Sequence, residues 1–168
     1  MGHELSVVIL LVGAMMTTAV PSSVADASEP ALNGTYTVVS NGEWAMMNDR
    51  YQDQPTVRSV WTISTTCTAP FRCRGEVRSD AGWTEQISTT EGWNWYVRRT
   101  IPNWIPCPDG TRGSGTQVYR IYPVNESGFP DPSSPILVGD DRTTGASGSC
   151  GRNGSLVLSM PVKLTKTA

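Results

Sequence analysis

Leu156-Val157-Leu158-Ser159-Met160-Pro161-Val162-Lys163-Leu164 decides the fold. Leucine, methionine and valine recur at every second position, so one face of an extended segment is continuously apolar while Val157, Ser159, Pro161 and Lys163 line the other. That is a half-buried strand. The same period runs through Val57, Trp61 and Ile63, through Trp93, Trp95, Val97 and Ile101, and begins earlier at Tyr36 and Val38. Between these runs stand Asn41-Gly42, Gly75, Ala81-Gly82, Glu91-Gly92, Asp109-Gly110 and Asn153-Gly154, residues that turn one antiparallel strand into the next. Strands are expected at 34–40, 57–66, 73–79, 83–89, 93–101, 116–123, 136–142 and 155–164, with a short helical turn within Glu43–Tyr51. Eight short strands in local order predict an all-β antiparallel barrel, with a two-sheet sandwich as the alternative. Pro161 predicts an edge or a bulge in the last strand. Asp140-Asp141 reads as a turn, and 125–135 and 145–153 read as surface loops.

The amino terminus carries a different signal. An apolar run from Val7 to Val20 leads to Ala25-Asp26-Ala27, the pattern of a cleaved secretory leader, and the run is shorter than the ~20 residues a bilayer span needs. Residues 1–27 are therefore expected to be a signal peptide and 28–168 a single secreted domain with no transmembrane segment. His3 is the only histidine and would leave with the leader. Serine–histidine and cysteine–histidine catalysis and histidine metal sites would then lack their nitrogen base or ligand. No cofactor motif is present.

Glu4 and Asp26 would also be removed, leaving 13 acidic residues against the 13 lysines and arginines. A neutral chain is not steered to nucleic acid or to anionic membranes. Most of its cations are arginines scattered along the strands, the pattern of solvated strand faces.

Cys67, Cys73, Cys107 and Cys150 make an even set in an exported domain, so two disulfides are expected. Only Thr-Ala-Pro-Phe-Arg separates Cys67 from Cys73, the length of a hairpin tip, which favours Cys67 with Cys73 and Cys107 with Cys150. Zinc is excluded by spacing and by the missing imidazoles.

Six tryptophans exceed what one small core requires. Trp61 and Trp95, on well-alternating strands, are expected inside. Trp44, Trp83, Trp93 and Trp104 are candidate binding residues, because aromatic rings give large contact area at small entropic cost. Arg98 or Arg99 could orient an anionic group beside them. Carboxylates are the remaining acid–base groups, so a glycan hydrolase would need two of them across one cleft. Ser147-Gly148-Ser149-Cys150-Gly151 lacks the register of a nucleophile elbow.

Gly34-Thr35-Tyr36, Trp61 to Thr68, Cys73-Arg74-Gly75, Pro106 to Thr111 and Cys150-Gly151 resemble the small secreted proteins of mycobacteria and relatives that have no assigned function. The arrangement of Cys-Thr, Cys-x-Gly and Pro-Cys segments is similar to the extracellular domain of certain mycobacterial receptor serine/threonine kinases. The resemblance implies a scaffold with the disulfide pairing given above. Three functions follow as expectations: a non-catalytic protein that binds an unidentified ligand at the cell surface or in the envelope, a carboxylate-dependent hydrolase of cell-wall glycans, or a module that docks a host protein or a receptor kinase.

Overall fold

The computed structural model describes residues 30–69, 71–151 and 153–167; the expected leader at 1–27 lies outside them. The strands are β1 (Asn33–Ser40), β2 (Met46–Met47), β3 (Arg50–Tyr51), β4 (Val57–Ala69), β5 (Arg72–Ser79), β6 (Thr84–Thr89), β7 (Trp95–Pro106), β8 (Arg112–Pro123), β9 (Ile136–Gly145) and β10 (Val157–Lys166). Two single-turn 3-10 segments, Gly42–Trp44 and Ser149–Gly151, interrupt them. The strands pair antiparallel in the order β1-β4-β5-β6-β7-β8-β9-β10, and β10 returns to β1. The sheet is an eight-stranded closed barrel.

Alternation explains what fills it. Tyr36 and Val38, Trp61 and Ile63, Val77, Ile87, Trp95 and Val97, Tyr119 and Ile121, Leu137, Val162 and Leu164 all face inward and form one core. Eight strands leave an interior about wide enough for such side chains to occupy. The outward positions of β4 and β5 carry Arg58, Thr62, Ser64, Arg74 and Arg78, the reverse of a lipid-facing barrel. Among the described residues no helix is long and apolar enough to cross a membrane.

At one end of the barrel, Thr65 Oγ1 accepts from the Leu32 amide at 2.8 Å and donates to its carbonyl at 2.9 Å, satisfying a buried backbone pair. Cys67–Cys73 bridges β4 and β5 at the same end, between register partners. At the opposite end, called the mouth below, Cys107–Cys150 ties the tip after β7 to the 3-10 turn at 149–151. Both bonds match the pairing expected from spacing.

The observed strands overlap each expected one, and three local readings change. The short helical turn expected at Glu43–Tyr51 is met only by the 3-10 turn Gly42–Trp44, and the rest of the stretch is the β2–β3 hairpin. The reason is Asn48-Asp49, both at positive φ (48° and 61°), which form the tight turn that joins antiparallel strands. Asp140-Asp141 is mid-strand in β9, where Asp140 pairs outward with Arg120 at 3.1 Å and Asp141 points in. β10 is not an edge, since it pairs with β9 on one side and with β1 and β2 on the other. Pro161 is tolerated because its carbonyl, accepting from the Asn41 amide at 2.8 Å, faces the gap between β1 and β2. Its missing N–H therefore costs no bond to β9.

Two glycines shape the wall. A Cβ at Gly139 would run into the Arg120 carbonyl on β8, so only glycine permits that close strand approach. A Cβ at Gly115 would sit 2.8 Å from Cε3 of Trp104 and 2.9 Å from the Thr143 methyl. Gly115 thus makes the seat on which the Trp104 indole lies.

Candidate functional site at the barrel mouth

The wall is thinnest between β6 and β7, which pair only at Ile87–Val97 and Ser88–Tyr96. From Arg98 toward the mouth the two strands share no further register. Side chains fill what the backbone leaves open. Arg99, at an inward position of β7, places its guanidinium 4.7 Å from the ring centroid of Trp83, the residue just before β6. A cation over an indole face is attracted by the ring quadrupole, more strongly where water is partly excluded. Arg99 makes no ion pair among the described residues.

Behind this contact stands an aromatic group. Trp61 meets Trp83 edge-on at 5.2 Å and Tyr119 edge-on at 4.8 Å, while Trp83 and Tyr119 lie nearly parallel, 6.5 Å apart. Trp61 is fully buried, and its indole N–H has no hydrogen-bond partner among the described residues. A buried donor without an acceptor carries an uncompensated desolvation cost.

The third component is a buried carboxyl. Asp141 is 1 % exposed; Ser40 Oγ donates to Oδ2 at 2.7 Å and Gln117 Nε2 donates to Oδ1 at 2.6 Å. Burial raises its pKa above the usual carboxylate value, opposed by the bonds from Ser40 and Gln117, the nearby Arg99 charge and the Tyr119 hydroxyl. Tyr119 is pushed up as well, by burial first and then by the charge on Asp141.

The sign of the linkage follows. A carboxyl whose folded pKa is raised contributes stability that is fully present below its unfolded pKa and lost as pH rises through the folded value. Asp141→Asn removes that loss, and the Ser40 hydroxyl can turn to accept from the new amide. The stability of the Asn variant relative to the native chain is expected to grow as pH rises above about 4 and then level off. Thermal melts from pH 3 to 8 read it out; a difference that stays flat with pH would contradict the assignment.

Of the residues singled out from sequence, the structure brings together Trp83 and Arg99. Trp44 is 68 % exposed on the 3-10 turn and shares its excursion with exposed Met46 and Tyr51. Trp104 is half-buried over Gly115 at the mouth. Trp93 precedes β7 at the opposite end, and Arg98 points outward from β7. Trp61 and Trp95 are core residues, as expected. Tyr119, Gln117, Asp141 and Ser40 are new to the site. Their signal was parity: Asp141 shares its face with Leu137 and Thr143, and Gln117 and Tyr119 share theirs with Ile121. Asp141 is the single carboxyl among the residues of this cluster, whereas a glycan hydrolase needs two across one cleft.

No family model and no curated protein matches the chain. Solved structures do. The chain folds like the PknI sensor domain of M. tuberculosis. That domain, described in its monomer form, covers 82 % of this chain and 88 % of its own at a TM-score of 0.58 and 18 % identity. At this identity the likeness is one of fold. It meets, at that level, the similarity to a receptor-kinase domain expected from the sequence.

Proposed function

We infer that this protein is an exported, non-catalytic binding module of sensor type, acting at the cell surface or in the envelope of a mycobacterium or a relative. The reading rests on Arg99: a guanidinium held on Trp83 at the unpaired part of the β6–β7 seam, with no ion pair among the described residues, in front of a buried polar cluster. A ligand with an anionic or strongly accepting group replaces the cation–π contact with a charge-assisted bond and lays its apolar part against Trp83. The two disulfides and the likeness to a sensor domain support the extracellular setting.

The test is a screen of envelope glycans and lipids by tryptophan fluorescence and thermal shift. A true ligand quenches Trp83 emission and binds Arg99→Gln and Trp83→Leu at least about tenfold more weakly, while Arg58→Gln, on the outer face of β4, binds as the native chain does. Hits indifferent to Arg99 and Trp83 would refute this site. Hits lost instead on Trp44→Ser would favour the second reading, a protein-docking module, which rests on the exposure of Trp44, Met46 and Tyr51.

A further inference from the structure

The outer wall carries a second concave feature, separate from the mouth cluster. Strands β7, β8 and β9 and the turn after β9 enclose an open groove of about 570 Å³, lined by Arg98, Thr116, Val118, Arg142, Thr144 and Ser147 together with neighbouring small residues. No carboxylate is among its lining residues. Register fixes the arrangement: Arg98 pairs with Val118, and Val118 pairs with Arg142, so the two arginines flank one valine in a row across three strands. Two strand spacings put their backbones roughly 10 Å apart. In the next row Thr100, Thr116 and Thr144 are register partners.

Charge pairing separates this groove from the rest of the face. Arg120, two residues along β8 from Val118 and so on the same outward face, is already neutralised by Asp140 at 3.1 Å. Arg98 and Arg142 have no ion pair among the described residues. The groove wall at 145–147 is also braced, because the Gly145 amide donates to the Leu156 carbonyl at 2.8 Å and Cys150 is tied to Cys107.

From this geometry we propose that the groove binds a carboxylate-bearing oligosaccharide. The guanidinium forks match carboxylate geometry in a way that a point charge does not. The hydroxyls of Thr116, Thr144 and Ser147 provide donors and acceptors for sugar hydroxyls. Val118, between the arginines, gives the apolar patch against which a pyranose ring packs.

Isothermal titration and amide chemical-shift mapping with trigalacturonate test this directly, with maltotriose and inorganic phosphate as controls. The expected result is binding that shifts β7–β9 amides and weakens about tenfold in Arg98→Gln and in Arg142→Gln. Their double variant should bind more weakly still, and Arg58→Gln, on the outer face of β4, should bind normally. Melting temperatures of the variants, whose substituted side chains are exposed, verify that they fold. No binding at millimolar trigalacturonate, equal binding of maltotriose, or phosphate binding as tightly as the saccharide would each overturn the proposal. Shifts at the Thr116, Val118, Arg142 and Thr144 amides rather than around Trp83 keep this result distinct from the fate of the mouth site.

Discussion

Trp61→Ala is expected to destabilise the protein by about 4 kcal/mol, the middle of the range for deleting a fully buried aromatic. The side chain is 0 % exposed and is the common neighbour of Trp83 and Tyr119. Its removal leaves a cavity and also frees the two rings that line the mouth. Trp61→Phe separates the contributions. Phenylalanine keeps a ring edge for both neighbours and removes an N–H that has no acceptor among the described residues, so its cost should stay under about 2 kcal/mol. Urea unfolding followed by far-UV circular dichroism measures both. Near-equal losses for the two variants would mean that the indole N–H is satisfied in solution, and a loss below about 1 kcal/mol for alanine would mean that the barrel closes over the gap.

Removing the Cys107–Cys150 bond by paired serine substitutions should cost about 4 kcal/mol, whereas removing Cys67–Cys73 should cost about 2 kcal/mol. The difference comes from the unfolded chain. One bond closes a separation of 43 residues and the other of 6, and loop-closure entropy grows with the logarithm of length. The short bond also joins strands already paired in register, so the hairpin holds its ends together without it. The long bond fixes the tip after β7 to the turn that walls the outer groove, so its loss should weaken saccharide binding as well as stability. Chemical denaturation of the two double variants decides the order; a larger loss for the short bond would reverse the argument.

Legibility in the sequence tracked period two. Leu158 to Leu164 could be read as a half-buried strand because side chains alternate across a pleat whatever surrounds them. The hairpin tip between Cys67 and Cys73 could be read because five residues leave few ways to turn. Where local chemistry was ambiguous, the reading failed. Asn48-Asp49 turned a hairpin through positive φ, and Asp140-Asp141 looked like a turn because two acids in a row are usually solvated. Asp141 instead follows its strand's parity into the barrel.

The chain by itself determined an all-β scaffold, the disulfide pairing and the burial of Trp61 and Trp95. These depend on neighbours close in sequence or on hydrophobicity, which each residue carries with it. Barrel closure decided the rest: Ser40 on β1 reaches Asp141 on β9 only because β10 pairs with both. Arg99 meets Trp83 only because β6 and β7 diverge after two register pairs. Contacts between residues far apart in the chain are fixed by the register and curvature of a closed sheet, and no local pattern encodes which inward side chains will share its interior.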